Sequence, residues 1–402
     1  MKILISHPHG NKNTKKVVNI LGKLNLLDTF WTTIAFPFKF MIFENKFYNI
    51  RFKKIKLRFL KEFLRYICIF LKLKNFYLHD DNVFSVSSVY KDLDTSVGRY
   101  LDINKKKINA IYSYEDCALN SFKIANKNNI KTIYELTSPY WLLKKKIIEE
   151  EINLQPDWNL SATEIFSENK CKNKDEEIAL SNQIIVASSF TAKSLELFKQ
   201  NIKSKINVVP YGITCPAIKT INKRDKNNKL KIIFAGRPTL SKGIQYLIQI
   251  LEQLDLPWEL EIAGSIPEKP SQISEKLNLF FKDPRCNFLG QIPNKNLIER
   301  MKRSHVFILP SLFDGFGQVL LEALSCSLPV ITTDNTGGPD IIDDGKNGFL
   351  TPIRDTTKTI EVLNNLYNNE EFRRSIAENA FLQASDLTWT RYQNEICKFI
   401  KI

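Results

Sequence analysis

The sequence is poor in the residues that build metal centres and disulfide frameworks. Its 402 residues include four histidines, His7, His9, His79 and His305, and only His7 and His9 lie close together. No cysteine or carboxylate flanks that pair, so no metal site is readable from the spacing and none is expected. The seven cysteines, at 68, 117, 171, 215, 286, 326 and 397, are odd in number and contain no C-x-x-C pair. This excludes a disulfide-stapled scaffold and points to a reducing compartment, where thiols pack as small hydrophobes. No uninterrupted apolar run reaches transmembrane length. Met1 leads straight into Lys2–Ser6, which reads as a buried strand and not as a charged leader. The expectation is a cytoplasmic protein.

What is present suits large cores. Hydrophobic residues make up 43% and aromatics 11% of the chain, and the length suits two domains of comparable size. The net charge is +15. Nucleic acid, an anionic membrane or an anionic substrate would each fit such a charge, and so would a lysine-rich proteome. No nucleic-acid motif accompanies the charge, so nucleic acid is not an expected partner.

Strands and helices alternate along the chain. Strands are predicted at 2–6, 32–36, 109–113, 131–135 and 183–187, with helices between them at 11–24, 117–128 and 189–199. A second series has strands at 230–235, 258–263, 285–289, 305–309 and 328–332. Its helices are predicted at 242–253, 271–281, 294–302, 317–325 and 356–367, and two more, about 370–384 and 388–400, end the chain. This is an α/β pattern of two Rossmann-like domains, 1–205 and 230–385, joined by a polar connector at 206–229. The last helix, in 386–402, is expected to pack back on the first domain. Two such domains in series create a cleft between the carboxyl ends of two sheets.

Residues 46–74 stand apart, with ten Lys or Arg (46, 51, 53, 54, 56, 58, 61, 65, 72 and 74) against one acid, Glu62. Apolar residues are interleaved at helical spacing. Two readings stay open: an amphipathic stretch lying on an anionic membrane, or a basic helix whose apolar face packs on its own domain.

The most informative segment runs Pro310-Ser311-Leu312-Phe313-Asp314-Gly315-Phe316-Gly317 and continues to Glu322-Ala323. A strand ends at Pro310 and a helix begins near Gly317. Free backbone N–H groups at such a helix start bind anionic or polyhydroxylated ligands, and glycines let the backbone come close. A second motif, Gly236-Arg237 followed by Lys242-Gly243, sits after the first strand of the second domain. There two cations converge at a sheet's carboxyl edge. Near the amino terminus, Gly10 precedes a helix and is a candidate phosphate neighbour.

With Pro329-Val330 and Gly337-Gly338 downstream, these motifs resemble the family 4 (group 1) glycosyltransferases, which have the GT-B fold. The resemblance is dense over 231–352 and thin before it. It implies that Gly236, Arg237 and Lys242 grip the diphosphate of a nucleotide-sugar. Asp314 then faces the sugar, with Gly315, Phe316 and Gly317 beside it, and Glu322 holds the ribose. Ile292 and Pro293 either pack on the base or form a structural turn. The implied catalytic set is Asp314, Arg237 and Lys242. The family usually has Glu where this chain has Asp314, one methylene shorter. On the acceptor side His9, Glu115 and Thr137 are the candidates, although His9 also fits a structural role and the histidine that the family often carries there is missing. The implied activity is retaining, metal-independent and cofactor-free sugar transfer to a glycan or lipid-linked acceptor. A non-catalytic scaffold of the same fold, a nucleotide-sugar isomerase and a phosphorylase are the alternatives.

Overall fold

The computed structural model describes residues 1–36, 47–161, 166–215, 229–266 and 275–400. Lys46, most of the connector, the first turn of the helix expected at 271–281 and the last two residues lie outside the described residues.

The first sheet has seven strands: β1 (Ile3–Ser6), β2 (Leu27–Thr32), β3 (Ile55–Leu57), β4 (Ala110–Tyr114), β5 (Lys131–Leu136), β6 (Gln183–Val186) and β7 (Ile206–Val208). All pairs are parallel, in the order β3-β2-β1-β4-β5-β6-β7. Helices cover both faces: α1 (Lys12–Lys23), α2 (Leu60–Phe70), α3 (Val86–Ile103), α4 (Leu119–Lys127), α5 (Trp141–Leu154), α6 (Glu168–Leu180) and α7 (Ser189–Ser194). Buried apolar strands such as Ile3-Leu4-Ile5 are what a sheet covered on both faces requires.

The second sheet has six parallel strands: β8 (Leu230–Ala235), β9 (Trp258–Ala263), β10 (Cys286–Gly290), β11 (Val306–Leu309), β12 (Val330–Thr333) and β13 (Phe349–Thr351). Their order is β10-β9-β8-β11-β12-β13. Its helices are α8 (Ile244–Gln253), α9 (Glu275–Phe280), α10 (Asn294–Met301), α11 (Gln318–Ser325), α12 (Thr356–Asn368) and α13 (Glu370–Asp386). The last helix, α14 (Trp389–Ile400), crosses to the first domain. Trp389 stacks under Lys12 and Lys16 at 5.5 and 5.2 Å, and Gln393 Nε2 donates to the Lys16 carbonyl at 2.8 Å.

Three expectations are corrected. The strand expected at 32–36 is Leu27–Thr32. Its start is disguised by Asp28 and Thr29, which are buried, with Asp28 paired to Lys107 at 2.5 Å. The connector expected from 206 begins later, because Ile206–Val208 pairs with β6 as an edge strand. The basic stretch is not one helix: Ile55–Leu57 pairs with β2, and only Leu60–Phe70 within it is α-helical.

Strand order reverses between β1 and β4 in one sheet and between β8 and β11 in the other. The loops leaving these strands carry Gly10, Glu115, Gly236 and Asp314. Ligands of open parallel sheets bind at such switch points.

Candidate donor site at the domain cleft

The site is built where β8 and β11 end. Gly243, with φ of +68°, starts α8 so close to β11 that a Cβ there would overlap the Pro310 carbonyl. Leu312 N–H donates to the Ser241 carbonyl at 2.9 Å. These backbone contacts bring Lys242 beside Asp314, and the two side chains form an ion pair. Asp314 is held from its own loop as well. Its N–H donates to the Asn335 carbonyl at 2.8 Å, and its Oδ1 accepts from Phe316 N–H at 3.2 Å. Burial alone would push the Asp314 carboxyl up; the Lys242 ammonium and the backbone N–H groups of Phe316 and Gly317 more than offset it and hold the group below its ordinary value. Gly317, with φ of +76°, turns the loop into α11. Arg237 is exposed and forms no ion pair among the described residues. Gly236, with φ of +152°, lets the chain leave β8 toward it.

Glu322 projects from α11 and accepts from Asn294 Nδ2 at 2.9 Å. Asn294 opens α10 directly after Ile292 and Pro293 of the loop that follows β10, so the expected base-side and ribose-side residues meet. Ile292 is half-buried against the core. Burial pushes the Glu322 carboxyl up, while Lys12 of the first domain and Asn294 pull it down.

The first-domain candidates divide. Gly10 has φ of +55°, and a Cβ there would overlap the Tyr48 hydroxyl. Its N–H donates to His7 Nδ1 at 2.9 Å, so this donor is directed at the loop itself and not at the cleft. His9 sits 3.6 Å from Glu62 of α2, with its ring against Tyr90 of α3. Glu115 and Thr137 do come together: the Thr137 hydroxyl donates to Glu115 at 3.3 Å and Ser138 at 3.0 Å. Burial would raise the Glu115 carboxyl, but Lys174 and Lys144 hold it below its ordinary value. Lys174 is buried and paired to both Glu115 and Asp116.

Sequence reasoning missed the seam between the domains. The Gly315 carbonyl accepts from Ser188 Oγ at 2.6 Å and Thr191 Oγ1 at 3.0 Å. Ser189 N–H donates to Asp340 at 2.8 Å. Glu151 of α5 is fully buried and accepts from Gln245, Tyr246 and Arg354 at 2.8, 3.1 and 2.9 Å. A capping serine at the start of α7 was the one available signal; nothing in the sequence shows that it reaches another domain.

Residues 218–383 match the model of the group 1 glycosyl transferase family. The second domain belongs to the group 1 glycosyl transferases. Among curated relatives, an uncharacterised glycosyltransferase of Methanocaldococcus jannaschii is 28% identical over 52% of this chain and 57% of that protein. The capsular polysaccharide biosynthesis glycosyltransferase CapM of Staphylococcus aureus is 30% identical over 44% of this chain and 48% of that protein. The chain thus spans about half the length of these curated relatives. Among solved structures, the apo lipopolysaccharide outer core galactosyltransferase WaaB aligns over 100% of this chain and 99% of its own, with a TM-score of 0.64 at 16% identity. HepE of Anabaena, solved with UDP and glucose, aligns over the same shares with a TM-score of 0.63 at 15% identity. At such identity the structures speak for the fold, which is GT-B: two Rossmann-like domains across a cleft. The Asp314–Lys242 pair lies inside the transferase family's matched segment, at the edge of that cleft.

Proposed function

We propose that the chain is a retaining, metal-independent hexosyltransferase of polysaccharide or glycolipid synthesis. It moves a sugar from a nucleotide-diphosphate sugar to a glycan or lipid-linked acceptor, at the cytoplasmic face of a membrane. The observation that carries this reading is Lys242 held beside Asp314 at the β8/β11 switch point, with Arg237 exposed nearby. Two cations at a sheet's carboxyl edge suit a diphosphate, and a carboxylate beside them suits sugar hydroxyls. When the donor enters, the Lys242 ammonium is shared between Asp314 and the phosphate oxygens. The bond from the anomeric carbon to the diphosphate breaks as the bond to the acceptor oxygen forms on the same face. The departing phosphate oxygen takes the acceptor's proton. Arg237 and Lys242 meet the charge that develops on the leaving group, the role a metal ion plays elsewhere. Glu322 and Asn294 hold the nucleoside end, and Lys12 faces them from the first domain. Among relatives, CapM carries the name of a capsular polysaccharide enzyme and SQD2 of Arabidopsis thaliana that of a sulfoquinovosyl transferase. Both names fit sugar transfer, and the first fits transfer in polysaccharide synthesis.

The test is incubation with a panel of uridine, guanosine and adenosine diphosphate sugars, with and without lipid-extract acceptors, in the presence of a chelator. The expected result is diphosphate release coupled to a glycoside of unchanged anomeric configuration. Transfer that stops in chelator and returns with magnesium or manganese would remove the metal-free mechanism. Release of a rearranged nucleotide-sugar without acceptor would make the chain an isomerase.

A further inference from the structure

Helix α2 is mounted with its apolar side outward. Phe59, Phe63, Tyr66 and Phe70 recur at intervals of four, three and four, which places them on one stripe of the helix. That stripe is in solvent: Phe70 is 85% exposed, Phe59 and Phe63 are 56% exposed and Tyr66 is 50% exposed. The side toward the protein buries Glu62 and Cys68 instead. The apolar surface continues past the helix into exposed Phe76 and Leu78.

The fixation of this helix is polar. Lys61 donates to Ser88 of α3 at 2.8 Å and Arg58, just before the helix, is bidentate to Asp92 of α3, while Arg65 donates to both oxygens of Glu62 of its own helix at 2.9 and 2.8 Å. Lys61 and Arg58 hold the helix against α3, and none of these three cations is the outward charge. The outward charge is Lys53 and Lys56 before the helix and Lys72 and Lys74 after it, all exposed. The only acid between residues 51 and 79 is Glu62, and it is buried.

We propose that this face docks on an anionic lipid bilayer, with the aromatic stripe in the acyl boundary and the four lysines on the headgroups. A bilayer fits because exposed apolar side chains and exposed lysines occur together in one short stretch of the chain. A second copy does not, since two such faces would repel each other. The placement ties docking to the cleft: Glu62 meets His9 at 3.6 Å on the loop that leaves the carboxyl end of β1. The proposal deepens the reading of a lipid-linked acceptor but draws on no feature of the donor site.

Sedimentation of the full chain with vesicles separates the two readings, because it needs no substrate. Vesicles of phosphatidylcholine alone are compared with vesicles carrying about 30% phosphatidylglycerol, a composition that gives a negative surface. The wild type should pellet with the anionic vesicles only, and less so in high salt. The double variant Phe63→Ser/Phe70→Ser and the quadruple variant of Lys53, Lys56, Lys72 and Lys74 to Gln should each lower partitioning about tenfold or more. Thermal unfolding of both variants should match the wild type, since these side chains touch solvent. A wild type that stays in the supernatant overturns the proposal. So does an apolar variant that binds as well as the wild type, or a reversible dimer lost in that variant. Vesicle binding without any sugar transfer would leave the proposal standing and count against the transferase reading alone.

Discussion

Ser188 Oγ of the first domain donates to the Gly315 carbonyl of the second at 2.6 Å, so the loop that carries Asp314 is held from across the cleft. Thr191 reaches the same oxygen. A Cβ at Gly315 would overlap the Thr137 carbonyl, also in the first domain. The glycine in the family's motif is therefore required here by a close approach of two backbones, whatever it also does for a ligand.

Gly315→Ala should force the domains apart. The overlap is with backbone, which cannot step aside, and overpacking of this kind costs about 1–3 kcal/mol. The double variant Ser188→Ala/Thr191→Val should also loosen the seam, because it leaves the carbonyl buried without a donor, at about 1–3 kcal/mol. Small-angle scattering and urea unfolding read both effects. Wild-type dimensions and stability in Gly315→Ala would show that the two domains do not close on this loop in solution.

Lys242→Ala should weaken binding of a nucleoside diphosphate by about tenfold to a hundredfold, the range for a charge-assisted contact. The same variant removes the cation that holds the Asp314 carboxyl low, so that group should titrate higher. Calorimetry with the diphosphate that binds the wild type decides the matter. If Lys242→Ala lowers only the unfolding temperature and not the affinity, the ion pair is structural.

Glu322→Ala should weaken free nucleotide and nucleotide-sugar to the same extent. Its partner Asn294 lies beside Ile292 and Pro293, on the loop expected to face the base, and not beside Asp314. Asn294→Ala should reproduce a smaller part of the same loss. A defect confined to the sugar-bearing ligand would move Glu322 to the sugar side of the site.

Fold class was legible because buried parallel strands write long apolar runs such as Ile232-Ile233-Phe234-Ala235. The short edge strands β7 and β13 were not, since three residues carry too little pattern. In the site, the Asp314 and Lys242 motifs were readable because glycines fix their loops. Their pairing was not, since it depends on how close Gly243 brings α8 to Pro310. Gly10 and His9 illustrate the opposite case. Both sit at a switch-point loop, yet the Gly10 N–H is directed to His7 and the His9 ring to Glu62 and Tyr90, and only coordinates show where a loop aims its groups.

The last prediction concerns a carboxyl inside the first domain. Glu135 of β5 is buried and accepts from Tyr112 at 2.5 Å and Tyr211 at 3.2 Å. Burial pushes it up to about 7, although the tyrosine hydroxyls pull the other way. The folded protein thus keeps a proton that the unfolded chain releases near its ordinary value of 4.5. Stability from this group is full below that value, is lost as pH rises toward 7, and is level above it. The shift corresponds to about 3 kcal/mol at most. Glu177, pushed up to about 8 by burial, acts in the same sense, so the difference between variants is the useful quantity. Glu135→Gln keeps an acceptor for one tyrosine and cannot ionise. Urea unfolding at pH 5 and pH 8 should show a smaller loss of stability in Glu135→Gln than in the wild type. Tyr211 also packs on Phe316 at 5.2 Å between ring centres, so the charged form of Glu135 acts on a side chain that supports the donor loop. Parallel pH profiles for the two proteins would mean that Glu135 is ionised in the fold and that its burial is compensated by water.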